Sequence, residues 1–216
     1  MTMKPTDENA QRMPLFENSI LEKLTVISAT WFIVTWAILL PLIAVIGWGA
    51  AEPVQGFALV CAGLLVWTLF EYVAHRYVFH WEPRSDLLKR LVFVIHTNHH
   101  LEPNDRLRNL MPPVVSIPVA ACIWALFYAV GGAAATWAFL GFMIGYTGYD
   151  LTHYACHQWK MQGRLGKAMK RHHMRHHFTQ EPGNYAITAI FWDQVLGSSV
   201  GAKQRKHTSN PMRSAD

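Results

Sequence analysis

The chain has 216 residues, of which 51% are hydrophobic and 15% are charged, with a net charge of +5 and 12 histidines. A charged fraction well below the roughly 25% of soluble domains indicates a membrane protein, with a soluble bundle of buried helices as the alternative. The apolar, non-repetitive composition excludes a disordered chain, a collagen and a coiled coil.

The first predicted elements are a polar N-terminal segment and two membrane spans. Residues 1–23 are mixed in charge and lack the short apolar core of a signal peptide. No charged residue occurs between Leu24 and Ala51, and this stretch exceeds the roughly 20 residues needed to cross a bilayer. We therefore predict a first span over about 24–50 and a second over about 53–74.

The third uncharged stretch is long enough for two more spans. It runs from Asn109 to Tyr149, and Gly131 and Gly132 interrupt its apolar character. A helical hairpin hinged at these glycines is expected. The two predicted spans cover about 111–130 and 132–152.

The basic residues predict the orientation of these spans. Three Lys or Arg precede residue 24, six lie between residues 76 and 108, and ten follow residue 159. Such residues concentrate on the cytoplasmic side, so both termini and the central loop are expected there, with lipid headgroups rather than nucleic acid as their partners. The predicted fold is all-α, an integral membrane domain over 24–216 with about four transmembrane helices, a cytoplasmic helical cap (75–110 and 153–200) and a tail (201–216).

The histidines form four clusters, which read HRYVFH, HTNHH, HYACH and HHMRHH. Because residues three or four apart share a helix face, the imidazoles within each of the last three clusters are expected to point to one side. His75 and His80 are five apart, about 140° around a helix, so either the helix end unwinds or the two serve different metals. The ten candidate metal ligands are His75, His80, His96, His99, His100, His153, His157, His173, His176 and His177.

The positions of the clusters predict a shared metal centre. Two clusters follow span ends and two lie in the loops of the cap, so all four are expected to converge at one membrane surface. Ten buried imidazolium ions would repel one another, so the rings must be neutral and bind through nitrogen. Ten ligands suit two ions of five or six coordination, and imidazole suits Fe, Zn, Cu and Ni. His172 is expected to contact a lipid headgroup or one of the metal-binding histidines, with a ligand role as the alternative, and His207 is expected to be solvated.

Three carboxylates lie near the clusters. Glu71 precedes His75 by one turn, and Asp150 precedes His153 by three residues. Each is predicted to accept the second ring N–H of a ligand imidazole, with a capping role as the alternative for Glu71. Asp193 is expected to make a structural contact in a C-terminal amphipathic helix.

The clusters resemble the signature of the fatty acid hydroxylase and sterol desaturase superfamily of membrane di-iron enzymes. The pattern HX4H, HX2HH, HX3H and HX2HH is met at all ten positions. The stretches FEYVAHRYVFH, NLMPPVV and GYDLTHYACH are most similar to fatty acid 2-hydroxylases, which act on ceramide or sphingolipid acyl chains. The stretch after His157 departs from that branch and is similar to carotenoid hydroxylases.

The resemblance implies an O2-dependent lipid hydroxylase with two Fe ions, acting on carbon 2 of a fatty acyl chain, free or in a ceramide. Zinc is expected to replace iron readily in such a site. Only 23 residues precede the first span and none is His, so we expect no cytochrome b5 domain and a separate electron donor of cytochrome b5 or ferredoxin type with its reductase. A sterol or carotenoid hydroxylase, a lipid desaturase and a metal transporter stay open as alternatives. The expected location is a bacterial inner membrane or the endoplasmic reticulum.

Overall fold

All of the regular secondary structure is helical within residues 13–201, which are the residues that the computed structural model describes. Two single-turn π-helical segments occur within this range, at His75–Phe79 and at Phe93–Thr97. The all-α prediction is confirmed, with no strand in this range. The α-helices are α1 (Ser19–Leu24), α2 (Ala29–Ile46), α3 (Pro53–Ala74), α4 (Asp86–Val92), α5 (Asn98–Leu101), α6 (Pro113–Gly131), α7 (Ala135–Gln158), α8 (Gly163–Phe178) and α9 (Phe191–Val195).

Three of the helices that the structure describes are long and apolar enough to cross a membrane. They are α2, α6, and α3 together with the π-helical turn that extends it to Phe79. Their large apolar side chains face outward, and Ile38, Leu65 and Val130 are 63%, 69% and 91% exposed. Exposure of so large an apolar surface to water is unfavourable, whereas its contact with the acyl chains of lipids is not. The prediction of a membrane protein is therefore confirmed.

Helix α7 occupies the fourth predicted span and differs from the other three. It packs against α2, α3 and α6, and most of its residues are buried inside the protein. Because the side chains of α7 face other helices rather than lipid, its C-terminal half can carry the polar residues Tyr149 and Asp150. Within residues 13–201 three helices, not four, therefore meet the length and hydropathy of a span, and a crossing by α7 stays a prediction.

Glycines bring α3 and α7 into backbone contact. A Cβ atom on Gly63 would lie 1.7 Å from the carbonyl oxygen of Ala138, and one on Gly141 would lie 1.9 Å from the carbonyl oxygen of Val60. No larger residue fits at either position, and such small residues are what closely packed membrane helices use. Since α3 leads into the first histidine cluster and α7 carries the third, this contact places both clusters side by side.

The remaining elements cover the end of the bundle where the clusters lie. Helix α8 packs on α7, and α9 packs on α3. Between α8 and α9 runs the segment 179–190, which we call the return loop. The return loop is closed by Asn184, whose backbone N–H donates to Ser198 O at 2.9 Å and whose side chain accepts from the N–H of Val200 at 2.8 Å. This loop brings backbone carbonyls to the histidines.

Candidate metal centre

The first π-helical segment decides how His75 and His80 are placed. In a π-helix the backbone hydrogen bonds join residues five apart, so His75 and His80 lie on the same side of the helix. An α-helix would place them on different sides. Their Nε2 atoms both lie close to Nε2 of His96, at 3.1 Å and 3.3 Å. Of the two interpretations left open by the sequence, the altered helix end is the one observed, and the pair belongs to one group.

The ten histidines form two groups of five, which we call the first and second pentads. In each group one ring nitrogen from every histidine lies within 4.8 Å of the others, and such a group can hold a metal ion. The Nε2 atoms of neighbouring rings are 2.8 to 3.3 Å apart. The first pentad is His75, His80, His96, His100 and His176, and the second is His99, His153, His157, His173 and His177.

Two sequence clusters are divided between the pentads, which corrects the expectation that each cluster points to one side. In the second cluster His96 and His100 enter the first pentad, and His99 enters the second. The second π-helical segment and the short α5 change the winding here, so neighbouring rings diverge. On α8, His176 is likewise separated from His173 and His177. Each of these two clusters therefore supplies histidines to both pentads.

The pentads touch each other. The rings of His100, in the first pentad, and His177, in the second, stack with centroids 4.2 Å apart. Both rings belong to clusters that are divided between the pentads. The expected convergence of four clusters on one place is therefore observed, and the two adjacent pentads are consistent with the two ions expected for ten ligands.

Three histidines are oriented by backbone carbonyls. Nδ1 of His176 bonds to Gly183 O at 2.8 Å, Nδ1 of His153 bonds to Asn109 O at 3.2 Å, and Nδ1 of His75 bonds to Tyr185 O. A carbonyl only accepts, so each Nδ1 carries the proton and each Nε2 presents a lone pair. These lone pairs face their neighbours, and a cation between them removes the repulsion. The residues present therefore fit a metal ion in each pentad.

Burial keeps the cap histidines neutral. Loss of solvent, and then the nearby His176, lower the pKa of His80 to about 4, and the same causes lower the pKa of His100 to about 3. Burial and neighbouring imidazoles hold the pKa values of His96, His99 and His173 well below the usual value. The prediction of neutral rings is consistent with these directions, because protons compete weakly for such nitrogens at pH 7.

The predicted contact of Glu71 with a histidine is wrong. Its buried carboxylate instead accepts from the backbone N–H groups of residues 187–189, at 2.9 to 3.2 Å, and from Trp67 Nε1 at 3.1 Å. The hydroxyl of Thr188 also donates to it. All of these donors are in the return loop or on α3 itself, so Glu71 anchors the return loop to the end of α3.

The predicted contact of Asp150 with a histidine is also wrong. Asp150 accepts from the backbone N–H of Met111 at 2.9 Å and from the hydroxyl of Tyr146 at 3.2 Å. Its near neighbour His153 uses Asn109 O instead. Because Met111 lies two residues after Asn109, Asp150 holds the segment that supplies the carbonyl and acts on His153 through the backbone.

Asp193 organises the return loop, and its role is larger than the structural contact expected. It accepts from the backbone N–H groups of Tyr185 and Ala186 and from the hydroxyl of Ser198, each at 2.8 Å. Nε2 of His172 bonds to it at 2.8 Å, so His172 lies outside both pentads. Burial by itself raises the pKa of Asp193, but the hydrogen bond from His172 and those from the backbone outweigh it and lower that pKa. His207 lies outside the described residues.

An apolar cavity of about 290 Å³ opens beside both pentads. Its walls include His96 of the first pentad and His99 and His153 of the second. The remaining walls are mainly apolar and come from the N-terminal segment, the loop before α6, and helices α3, α6 and α7, including Leu15, Phe16, Phe70, Leu110, Val115 and Tyr149. An elongated apolar molecule can therefore lie against both groups of histidines at once.

Sequence reasoning missed the groups that orient the rings. The acceptors are backbone carbonyls of Asn109, Gly183 and Tyr185, and a carbonyl is present at every residue, so no sequence signal marks these three. The cavity lining from Leu15 and Phe16 was missed as well. The available signals were Glu71, Asp150 and Asp193, acidic residues in apolar stretches that hold the segments carrying these carbonyls.

The sequence itself decides the family. Residues 60–198, which include all ten pentad histidines, match the family model described as fatty acid hydroxylase. The chain belongs to the fatty acid hydroxylase family. The resemblance stated from the histidine spacing is confirmed.

Curated relatives of this fatty acid hydroxylase are about one third identical to it over the aligned residues. It is 35% identical over 146 residues to a dihydroceramide fatty acyl 2-hydroxylase of Arabidopsis thaliana, covering 67% of this chain and 62% of the relative. It is 35% identical over 196 residues to the ceramide very long chain fatty acid hydroxylase of Saccharomyces cerevisiae, covering 87% and 50%. For the fatty acid 2-hydroxylase of Rattus norvegicus the identity is 36%, covering 64% and 38%. The chain thus spans about half the length of the curated relatives it matches.

The fold also matches a solved structure. Full-length scs7p, of which only the hydroxylase domain is visible, superposes with a TM-score of 0.80 at 30% sequence identity, covering 88% of this chain and 72% of that chain. The membrane helices and the cap of this fatty acid hydroxylase therefore form a known hydroxylase fold.

Proposed function

We propose that this fatty acid hydroxylase uses O2 to place a hydroxyl group on carbon 2 of a fatty acyl chain, free or in a ceramide. One observation carries the proposal: two pentads of inward-facing imidazole nitrogens border a single apolar cavity beside the ends of membrane helices. The curated relatives, whose names specify dihydroceramide and ceramide acyl chains, support this substrate class.

Each pentad is proposed to bind one iron ion through its five Nε2 atoms, so that all ten pentad histidines are ligands. Two iron ions held there supply the redox chemistry that activates O2 against a C–H bond. The neutral, all-nitrogen ligand set suits zinc as well as iron, so the metal in a purified sample does not identify the native one.

The protein's own contribution begins with the orientation of the rings. The carbonyls of Asn109, Gly183 and Tyr185 hold His153, His176 and His75 with Nε2 turned inward. Rings held in this way lose little conformational freedom when an ion binds. The return loop and the segment before α6 therefore preorganise both pentads.

The second contribution is the cavity. Its apolar walls hold an acyl chain and exclude water from the reacting carbon. The cavity borders His96, His99 and His153, so a chain inside it passes both pentads. Because the cavity lies at the ends of membrane helices, a lipid can enter from the bilayer with its chain leading.

The proposal includes the setting of the enzyme. The Lys and Arg distribution favours a cytoplasmic cap and cytoplasmic termini, in a bacterial inner membrane or the endoplasmic reticulum. Reduction of O2 requires electrons, which we assign to a separate carrier of cytochrome b5 or ferredoxin type with its reductase.

Lipid mass spectrometry tests the proposal. The chain is expressed with a reductase system in cells that lack 2-hydroxylated lipids, and the acyl chains are compared with those of cells carrying the His176→Ala variant. We expect a gain of one oxygen atom at carbon 2 of the acyl chain with the natural sequence only. A metal-loaded protein that produces no such lipid would contradict the proposed function.

The same measurement separates the alternatives that use this site. A lipid desaturase would remove two hydrogen atoms from the chain instead of adding an oxygen atom. A sterol or carotenoid hydroxylase would leave the acyl chains unchanged and add oxygen to those lipids. Metal flux into proteoliposomes that depends on His153 and His157 would indicate a transporter.

A further inference from the structure

Helix α8 has two opposite faces of different chemistry. At 3.6 residues per turn, His173, His176 and His177 lie on one side. Arg164, Lys167, Arg171 and Arg175 lie on the other side, within an arc of about 80°. We call these four residues the cationic face. The histidine side enters the pentads, so the cationic face points away from them.

Within the part of the chain that the structure describes, no acidic side chain pairs with the cationic face. Helix α8 contains no Asp or Glu. Arg164, Lys167 and Arg171 are exposed, and none of the four side chains forms an ion pair with an acidic residue within 13–201. Phe178, the last residue of α8, lies on the same side of the helix as the cationic face, and its ring is 70% exposed. Unpaired cations around a small apolar contact are suited to an acidic partner.

The other basic segment of the cap is different. On α4, Lys89 bonds to Asp86 at 2.9 Å, and Arg90 bonds to Leu15 O and lies over the ring of Phe16. Those cations already have partners within the chain. The cationic face of α8 is therefore the better candidate for a partner outside the chain.

We propose that the cationic face of α8 docks the electron carrier, a small acidic one-electron protein. This inference rests on the proposed function, which needs electrons from outside. Hydroxylation of one C–H bond consumes one O2, two electrons and two protons and yields the alcohol and one water, so two reduced carriers are oxidised in each turnover. A carrier on this face is separated from the pentads by the thickness of one helix, about 10 Å.

The direction of the cationic face favours a protein over a membrane surface. The pentad histidines of α8 meet those at the ends of α3 and α7, which run into the membrane bundle. The opposite side of α8 therefore points away from the bundle. Electrostatic steering would bring an acidic carrier to it at a rate that falls as salt is added.

Stopped-flow oxidation of the reduced soluble domain of cytochrome b5 tests the docking. The iron-loaded full chain in neutral-lipid nanodiscs is mixed with this acidic haem protein, O2 and substrate. The variant Lys167→Glu/Arg171→Glu is expected to lower the second-order rate constant of haem oxidation about tenfold at low ionic strength. In this variant the rate constant is expected no longer to depend on salt. The matched control Arg84→Glu/Lys89→Glu makes the same charge change before and on α4 and is expected to leave the rate constant unchanged.

A single turnover after anaerobic reduction with dithionite separates docking from catalysis. With this chemical reductant, Lys167→Glu/Arg171→Glu is expected to form as much product as the natural sequence. If it forms less, or does not fold, Arg164→Glu/Lys167→Glu, which lies further from the histidines, takes its place. Absence of product from the natural sequence contradicts the proposed function, whereas the salt dependence of haem oxidation still reports on docking.

Two outcomes would overturn the docking proposal. One is an equal rate constant for the α8 variant and the control. The other is an effect of the α8 variant that appears only as a loss of thermal stability in anionic-lipid nanodiscs, which would make the cationic face a headgroup contact.

Discussion

Each pentad consists of five imidazoles, but the two pentads differ in what holds their rings in place. In the first pentad, His75 and His176 bond to carbonyls of the return loop, which Asp193 holds through the N–H groups of Tyr185 and Ala186. In the second pentad His153 bonds to Asn109 O, whereas the buried Nδ1 atoms of His99, His173 and His177 have no partner within residues 13–201.

The difference indicates how each pentad is built. The first depends on a loop that comes back from beyond α8, so distant tertiary contacts hold its rings. The second is built mainly on α5, α7 and α8, where helix packing positions the rings. Hydrogen-bond partners of ligand histidines affect metal affinity by about 10- to 100-fold, so the pentads should respond differently to changes outside the histidines.

The largest effects are expected from the pentad histidines themselves. His176→Ala removes a nitrogen from the first pentad, and His173→Ala removes one from the second. We expect each variant to lose product formation by at least about 100-fold and to bind one metal ion instead of two, measured by elemental analysis. His207→Ala serves as the control. An equal loss in His207→Ala would contradict the assignment of the ligands.

A smaller and more selective effect is expected from Asp193→Asn. The change replaces the carboxylate that holds the return loop, so His75 and His176 lose their fixed acceptors. The affinity of the first pentad for metal is expected to fall by about 10-fold, with the second pentad unchanged. Competition with a chelator, followed by elemental analysis, measures how readily each of the two metal ions is lost. The control is Asp86→Asn on the exposed side of α4. Equal weakening of both pentads would show that the return loop does not distinguish them.

The smallest effect is expected from Asp150→Ala. It frees the N–H of Met111 and loosens the segment that presents Asn109 O to His153, but leaves that carbonyl in place. A loss of a fewfold in metal affinity, confined to the second pentad, should appear in the same competition assay. Tyr146→Phe removes only the other hydrogen bond of Asp150 and is expected to leave the affinity unchanged. A loss confined to the first pentad would be inconsistent with this contact.

Much of the architecture follows from local sequence. The apolar stretch after Glu52 predicts a span over 53–74, and α3 begins and ends at these residues, because apolar length decides a membrane helix. Gly131 and Gly132 predict the hinge, and Gly132 adopts a φ of 63° at the end of α6. The spacing of the histidines likewise identifies the family, because all ten positions of its signature are readable along the chain.

The sequence by itself determined three membrane helices and the ten histidines that converge, and it predicted that these histidines are neutral, because hydropathy and side-chain chemistry act locally. The tertiary structure decided which histidine belongs to which pentad, since two π-helical segments change the winding where the clusters lie. It also decided that Glu71, Asp150 and Asp193 hold backbone segments rather than pentad histidines. Those contacts join residues up to 118 positions apart, and nothing local in the sequence specifies such a pairing.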